Sequence, residues 1–489
     1  MAETEAAQAA QASQDGAGTR ARLGLWSCMA LVVGNVIGVG IFALPASLAA
    51  FGGLALAGWL LTASGALVLA LVFGRLSRLV PKAGGPYAYT RAGFGDFTGF
   101  LIAWGYWIGL WSSVAALAVG TMNYVGAGAR AAGADAALTG AIAIGGLWLV
   151  TWFNLRGVEG AGRFQMVTTV LKLIPLVAIG TVGLLSANWS YFAPIVPAAY
   201  PSAFSAVVAA AALTMYSFLG IESATIVADN VDQPTRTVPR ATVLGTLVTA
   251  VVYILSTIGV MGALPPSALA TSAAPYADAA AALWGQWASA IVTIGVVIAG
   301  VGALNGFVLL QGHVPMAAAQ DRLFPARFAR RSRTGVPAFG CIFSSLLATA
   351  VLLVYYGGLA SGETGLVEAY NTIILLATFT TLVPYAFCAV AELLLYYQDR
   401  PRFSGQRLRG AGPLAAVAFA FSFLTIVGSG AQTVLYGFAF LLLGVPVYTW
   451  MRKVEAAAAA AAAVPVPDDA PAPAAGPAFA GGPPGGGGG

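Results

Sequence analysis

The chain has 489 residues, of which 59% are hydrophobic and only 8% are charged. Because soluble domains carry about 25% charged residues, this composition excludes an ordinary soluble protein and predicts a membrane protein surrounded by a lipid bilayer. The formal net charge of +5 comes from basic residues in the gaps between apolar segments, so it indicates no nucleic-acid partner.

Twelve apolar segments follow one another along the chain. Stretches of about 20 residues fit the hydrocarbon thickness as α-helices at about 1.5 Å per residue, so helices are expected rather than barrel strands. The predicted helices are 25–50, 54–79, 97–126, 137–155, 165–186, 202–228, 241–264, 286–318, 337–357, 364–396, 412–430 and 432–452. The predicted fold class is an all-α polytopic membrane protein with 12 transmembrane helices in a domain of residues 25–453.

Both ends of the chain differ from this domain in composition. Residues 1–24 carry acids and no apolar core, which is typical of a polar cytoplasmic tail rather than a signal peptide. Residues 454–489 are rich in Ala, Pro and Gly and are predicted to be a disordered tail. The three cysteines lie scattered within apolar segments, so no disulfide framework is expected.

The basic residues indicate the orientation in the membrane. Of the 23 lysines and arginines, all except Arg130 and Lys172 fall at the two ends of the chain or in loops on one side of the predicted bundle. Cytoplasmic loops are enriched in Lys and Arg, so both termini are predicted to be cytoplasmic. The expected location is the cytoplasmic (inner) membrane, crossed many times.

The first and sixth predicted helices are interrupted in comparable ways. The first contains GNVIGVG at 34–40, and each of its three glycines costs about 1 kcal/mol in a helix interior. The sixth contains YSFLGIES at 216–223. Broken helices five positions apart predict two inverted repeats, at about 25–186 and 202–396, with a polar substrate held at the unwound backbone. The alternative for the glycines is a close-packing face between helices.

Two charged residues fall well inside predicted helices. Glu222 is the one carboxylate that the pattern places well within a helix, and an ionised carboxylate there favours a proton or cation site. A neutral structural hydrogen bond is its alternative role. Lys172 enters the fifth helix by about seven residues, or roughly 10 Å. It either snorkels back to the headgroups or supplies a fixed ammonium that replaces a coupling cation.

Motifs for chemical catalysis are missing from the sequence. It carries no Ser/His/Asp set, no cluster of residues at metal-ligand spacing and no phosphate-binding loop. We therefore expect neither an enzyme nor a resident metal or cofactor.

Four segments carry a resemblance to a known family. They are GNVIGVGIFALPASLA in the first helix, PKAGGPYAYTRAGFG at 81–95, LTMYSFLGIESATIVADNVDQPTRTVPRA in the sixth helix and its exit, and TLVPY at 381–385. From about Leu23 to Lys453 the chain resembles the amino acid–polyamine–organocation superfamily, and within it the basic amino acid/polyamine antiporters of the arginine/agmatine type. The resemblance implies ten core helices in the leucine-transporter-type fold and two peripheral helices at 412–452, in proteins that are often homodimers.

The resemblance implies that backbone groups at the two breaks bind the substrate. The groups implied to meet its carboxylate belong to Gly38, Val39 and Gly40, and the carbonyls implied to meet its ammonium lie near Val36 and at Tyr216 to Leu219. Phe307 stands where the family has a tryptophan that closes over the substrate from outside. An intracellular gate of two tyrosines and a glutamate is implied at Tyr106, Tyr385 and Glu222.

Several positions depart from the arginine/agmatine pattern. Val39 replaces a serine, Tyr216 a tryptophan, Val114 an asparagine and Ala377 a serine. Each change removes a side-chain hydrogen bond or weakens a cation–π surface, so the resemblance does not name the substrate. Lys172 replaces an apolar residue and resembles the lysine that fills the place of a sodium ion in proton-coupled relatives.

The combined prediction is an amino acid or amine transporter that works by alternating access. Exchange of one substrate for a related one is the favoured mode, and proton symport with Lys172 in place of sodium is the alternative. A sodium-coupled symporter and a membrane sensor that binds without transporting are more distant readings.

Overall fold

The computed structural model describes residues 24–80, 84–131, 135–156, 161–226, 231–362, 365–398 and 411–462. Side chains are described for all of these except 127–131, 161–166, 226 and 457–462. The predicted tails therefore lie outside the described residues, apart from Gly24 and the segment 454–462. That last segment is helical, so the final helix continues beyond the predicted end of the membrane domain at 453.

The described chain is built from helices. They are α1 Leu25–Val36, α2 Gly40–Leu48, α3 Leu54–Leu79, α4 Pro86–Phe94, α5 Asp96–Ala131, α6 Ala136–Leu155, α7 Ala161–Leu185, α8 Ala203–Met215, α9 Ser223–Ile226, α10 Pro234–Ala263, α11 Pro266–Ala270, α12 Pro275–Trp284, α13 Gln286–Gln320, α14 Ala338–Ser361, α15 Leu366–Gln398, α16 Ala411–Gly428, α17 Ala431–Leu442 and α18 Gly444–Ala462. Short 3₁₀ turns at Ala49–Phe51, Trp189–Phe192, Tyr216–Phe218 and Ala326–Ala329 join some of them.

The number of membrane spans agrees with the sequence. Among the described residues, eleven spans are long and apolar enough to cross a bilayer. The bent pair formed by α1 with α2 and the following turn makes a twelfth. The molecule is a multi-pass membrane protein of the predicted all-helical class.

The long helices pack as two groups around the broken ones. In one group α10 packs against α1, α3 and α7, and α3 packs against α8. In the other, α5 packs against α13 and α15, and α6 packs against α14. The pairs α3 with α10, α5 with α13 and α6 with α14 each join spans five positions apart. The inverted repeat itself stays a prediction.

Small residues set the distance between α7 and α10. A Cβ atom added at Gly183 would lie 2.5 Å from the Cα of Gly259, and one at Gly180 would lie 3.1 Å from the backbone nitrogen of Ser256. Such contacts let two helices approach closely where lipid supplies no hydrophobic driving force. This packing holds α7, which carries Lys172, against the helices that surround the first break.

Candidate functional site

The first break separates α1 from α2. The two segments are bent by 43° relative to each other, and three residues join them. Within the link, the amide of Gly38 donates to the carbonyl of Val36 at 2.8 Å. In the first turn of α2, the amides of Phe42 and Ala43 donate to the carbonyl of Val39 at 3.0 and 3.3 Å, whereas those of Gly40 and Ile41 have no backbone partner among the described residues. The amides of Gly40 and Ile41 are the groups that can bind a carboxylate.

The second break follows α8. A 3₁₀ turn begins at Tyr216, and Leu219 is extended with φ −63° and ψ 134°. Gly220 has a φ of +100°, in the left-handed region that side chains other than glycine rarely adopt. Its carbonyl accepts the backbone amide of Ser223 at 3.0 Å, where α9 begins. The glycine therefore allows the turn that joins α8 to α9 within one span.

The two breaks lie against each other. A Cβ atom added at Gly40 would lie 2.8 Å from the ring of Tyr216 and 3.2 Å from the hydroxyl of Ser217. The Ser217 hydroxyl is buried and has no hydrogen-bond partner among the described residues. The structure thus brings together Gly40 and Tyr216, and it adds Ser217 as an unengaged polar group beside them.

The side chain of Val39 is wedged between two helices. A Cβ atom at Gly120 of α5 would lie 2.7 Å from one methyl of Val39, and one at Gly300 of α13 would lie 2.7 Å from the other. On the same face, the hydroxyl of Tyr124 in α5 donates to the carbonyl of Phe42 at 2.6 Å. The isopropyl group of Val39 therefore serves packing, and only its backbone remains for the predicted substrate contact.

We expect Gly120→Ala to lower transport by about tenfold or more, because the added methyl overlaps a β-branched side chain that cannot move aside. The double variant with Val39→Ala should recover most of the activity, since the second change removes the overlapping methyl. Initial rates of substrate counterflow in proteoliposomes measure both. Equal loss in the single and double variants would show that the contact does not limit transport.

The other predicted pocket residues are buried near the breaks. Val114 lies on α5 one turn before Leu117, whose methyl would be 3.0 Å from a Cβ at Gly38. Ala377 is fully buried on α15, and its carbonyl would lie 3.4 Å from a Cβ at Gly109 of α5. Substrate contacts at Val114 and Ala377 stay predictions.

Phe307 and Leu219 are also buried. Phe307 follows Gly306 on α13, where an added Cβ would lie 3.2 Å from the side-chain oxygen of Asn35 in α1. Phe307 is therefore level with the end of α1, on the opposite side of the link from α2. Its role as an outer lid and the substrate contact of Leu219 remain predictions.

The three predicted gate residues meet. The hydroxyls of Tyr106 from α5 and Tyr385 from α15 donate to the two different carboxylate oxygens of Glu222. All three side chains are at most 2% exposed, and the ring of Phe73 packs edge-on against Tyr385 at 4.9 Å. Because hydrogen bonds to a buried carboxylate are strong, this arrangement ties α5 and α15 to the second break, within which Glu222 lies.

Glu222 is not the only buried carboxylate, which corrects the expectation from the sequence. Glu392 of α15 is also 1% exposed, and the guanidinium Nε of Arg75 from α3 donates to it. Glu392 falls inside a predicted helix, but the pattern within one helix does not indicate that an arginine on another helix neutralises it. The pair links α3 to α15.

Lys172 is fully buried. Its ammonium donates to the carbonyl of Gly34 and, at 2.6 Å, to that of Ile37, both at the end of α1. The side chain therefore points into the bundle, which argues against snorkelling to the headgroups. The ammonium thus donates to two carbonyls that lose their helical hydrogen bonds at the break.

A residue that sequence reasoning missed lies between the breaks. The hydroxyl of Tyr253 in α10 donates to the carbonyl of Val36 at 2.8 Å and lies 3.1 Å from the carbonyl of Ser217. The Val36 carbonyl thus already accepts two hydrogens, from Tyr253 and from Gly38. A lone tyrosine in the apolar run VVYILST was the available signal, because a hydroxyl at mid-bilayer depth needs a partner.

Known proteins are similar in sequence to most of the chain. Residues 23–447 match the family described as amino acid permease. The cadaverine/lysine antiporter of Escherichia coli strain K12 is 31% identical over 423 residues, 84% of this chain and 90% of the relative. The arginine/ornithine antiporter of Pseudomonas aeruginosa is 31% identical over 457 residues, 88% and 94% respectively. A putrescine transporter of Escherichia coli strain K12 is 29% identical over 433 residues, 87% and 95%.

Proposed function

Since the chain belongs to the amino acid permease family, it is an amino acid or amine transporter, and we propose that it exchanges one such substrate for another by alternating access. The relatives named as antiporters support exchange rather than one-way uptake. The proposed setting is the cytoplasmic membrane, with both termini in the cytoplasm, because Lys and Arg concentrate in the loops on that side.

The contact between the two breaks carries the proposal. Gly40, at the start of α2, lies against the ring of Tyr216 and the hydroxyl of Ser217, which has no hydrogen-bond partner among the described residues. A carboxylate fits the amide side, as at other helix N-termini. The carboxylate of Glu222 is engaged by two tyrosines, so in this form it does not bind an ammonium group of the substrate.

Side-chain contacts close both sides of this site. On the proposed outer side, the hydroxyl of Ser47 in α2 donates to Asn371 of α15 at 2.6 Å. On the proposed cytoplasmic side, Tyr87 and Arg91 of α4 both bind Asp321 at the end of α13, at 2.8 and 2.7 Å. Burial and the bond to Asp321 raise the pKa of the Tyr87 hydroxyl well above its usual range, so it stays protonated as a donor. We propose that these contacts hold the described form closed on both sides.

Weakening the contacts of Asp321 with Tyr87 and Arg91 should open the proposed cytoplasmic side more often. The thiol of Cys388 is fully buried and lies 3.7 Å from the carbonyl of Pro86 at the start of α4, which covers it. In a background with serine at Cys28 and Cys341, we expect Asp321→Asn to raise the rate of Cys388 modification from the cytoplasmic side by about fivefold or more.

The matched control is Asp278→Asn, an acid of α12 that contacts Ser272 on the opposite side. It should leave the labelling rate unchanged. Mass spectrometry of the intact protein, after timed exposure of inside-out vesicles to a membrane-impermeant maleimide, measures the rate. If Asp321→Asn labels no faster than its parent, α4 does not act as a cytoplasmic cover.

Counterflow in proteoliposomes tests the proposed function. Vesicles are loaded with one candidate and presented with radiolabelled arginine, lysine, ornithine, agmatine, putrescine, cadaverine or neutral amino acids, at two pH values without sodium. We expect rapid uptake of label only when a substrate is inside. Binding without counterflow for every compound would instead indicate a sensor, and a requirement for a sodium gradient would indicate a sodium symporter.

Proton symport is the second candidate, favoured by the ammonium of Lys172 at the first break. Proton symport predicts uptake of label into empty vesicles when an inward proton gradient is imposed. Exchange predicts no uptake into empty vesicles. We also propose a homodimer, as the resemblance to the antiporter family implies. Crosslinking in native membranes tests the dimer.

A further inference from the structure

Uncompensated positive charge lies at one end of the helix pair α6 and α14. The segment 322–336, between α13 and α14, holds five arginines and no acid. All five are exposed, and none forms an ion pair with a described acid. The acid directly before the segment, Asp321, is already bound by Tyr87 and Arg91. The segment therefore presents a basic surface on the proposed cytoplasmic side.

Buried aromatic rings fix the backbone of this segment. Phe328 is buried in the 3₁₀ turn Ala326–Ala329. Its ring packs edge-on against Trp107 of α5 and Phe339 of α14, with ring centroids 5.7 and 4.8 Å away. Phe324 packs against the same tryptophan at 6.0 Å. The arginines therefore extend outward from a loop whose position is set by packing.

The loop is also fastened to the end of α6. The hydroxyl of Thr334 donates to the carbonyl of Leu155 at 3.0 Å. Arg333 directly precedes Thr334, and Arg156 directly follows Leu155, so neighbouring backbone carries the two guanidinium groups. The guanidinium carbon of Arg156 lies 3.8 Å from the ring centre of Trp152, which is 43% exposed. One of the two cations is thus held at the surface that faces lipid.

An apolar face continues from these arginines along α6 and α14. The indole of Trp148 in α6 donates to α14 at 3.2 Å, and the hydroxyl of Ser345 in α14 lies 2.9 Å from a hydroxyl of α6. These contacts pair later residues of α6 with earlier ones of α14, so the helices are antiparallel. Leu149 and Leu346 directly follow the two contact residues and are 55% and 51% exposed. Because each helix turns by about 100° per residue, both leucines lie on the same side of the pair, and Arg156, about two turns after Leu149, lies there too.

We propose that this surface binds an anionic phospholipid of the inner leaflet, with its phosphate between Arg156 and Arg333 and its acyl chains along Leu149 and Leu346. Guanidinium groups bind phosphate oxygens through paired hydrogen bonds, and the apolar face covers chains that a soluble phosphate ester lacks. A zwitterionic phospholipid offers the same chains, but its own ammonium competes with the arginines for the phosphate. The choice of leaflet rests on the proposed orientation, whereas binding requires no transport.

Native mass spectrometry of the full chain in detergent tests the site. Phosphatidylglycerol or phosphatidylcholine is titrated against wild type and Arg156→Gln/Arg333→Gln. The matched control is Arg236→Gln/Arg240→Gln, which removes the same charge from two exposed arginines at the start of α10, on the same proposed side of the membrane.

We expect wild type to bind its first phosphatidylglycerol about tenfold or more tighter than phosphatidylcholine, since each arginine near a headgroup adds to the affinity. Arg156→Gln/Arg333→Gln should lose most of this preference, and the control should keep it. Glycerol 1-phosphate, which has the anion without acyl chains, should not displace the lipid. The proposal fails if wild type binds both lipids equally, if Arg156→Gln/Arg333→Gln keeps the preference, if the control loses it equally, or if glycerol 1-phosphate displaces the lipid.

Photocrosslinking of wild type locates the lipid even where the double variant cannot be recovered folded. A phosphatidylglycerol that carries a diazirine in one acyl chain should label peptides from α6 and α14. Label confined to other helices would contradict the site. Failure of counterflow with every substrate would remove the proposed function and leave both binding results unaffected.

Discussion

Replacing Lys172 by alanine is expected to reduce counterflow by about thirtyfold or more while leaving the amount of folded protein in the membrane within about twofold of wild type. The ammonium supplies hydrogens to the carbonyls of Gly34 and Ile37. Without it, each buried acceptor loses a partner at a cost of about 1–3 kcal/mol, and charged donors are at the upper end. The damage falls on the break itself, so the transport cycle suffers more than the surrounding helices.

The neighbouring residue provides a matched control. Leu171 lies on the same turn of α7 with its side chain 39% exposed on the lipid-facing surface, so Leu171→Ala should transport at close to the wild-type rate. Size-exclusion profiles give the amount of folded protein, and counterflow per folded molecule gives the rate. Equal activity of Lys172→Ala and wild type would mean that the ammonium is dispensable, whatever its contacts.

Glu222→Gln is expected to remove most of the pH dependence of transport. Protonation of this carboxylate turns one oxygen from an acceptor into a donor, which weakens one of the two tyrosine bonds that hold the gate closed. Acidic pH should therefore speed gate opening in the wild type. Glutamine carries a donor and an acceptor at every pH, so the variant should behave like the protonated form throughout.

Initial counterflow rates at several pH values, from about 5 to 8, test this expectation. Glu368→Gln is the control, because Glu368 is an exposed acid in the first turn of the same helix that carries Tyr385. It should keep the wild-type profile. A Glu222→Gln variant that retains the full pH dependence would remove this residue as the proton site.

The spans and the positions of the breaks were predictable because their signals are local. Continuous apolar segments report bilayer thickness, and glycines such as Gly38 and Gly220 mark places where a helix is weak. The meeting of Tyr106, Glu222 and Tyr385 was predictable only through the resemblance, since no pattern within one helix indicates which residues face it from another. The sequence position of Lys172 allowed two predictions, a side chain that snorkels to the headgroups or one inside the bundle, and the structure shows the second.

Other features depend on contacts between distant segments and left no local trace. The wedge of Val39 between Gly120 and Gly300 requires three helices to converge, and each glycine alone has an ordinary explanation. The pairing of Arg75 with Glu392 joins residues 317 positions apart. Both are results of tertiary packing, which a reading of one sequence does not resolve.

The wedged side chain of Val39 has a mechanical consequence. It fixes α2 to α5 and α13, and the bond from Tyr124 to Phe42 strengthens that attachment. The segment α1 is instead fastened to α7 and α10 through Lys172 and Tyr253. The two halves of one transmembrane span are thus fastened by different side chains to different helices, so the three-residue link between them is the place where one half can turn relative to the other.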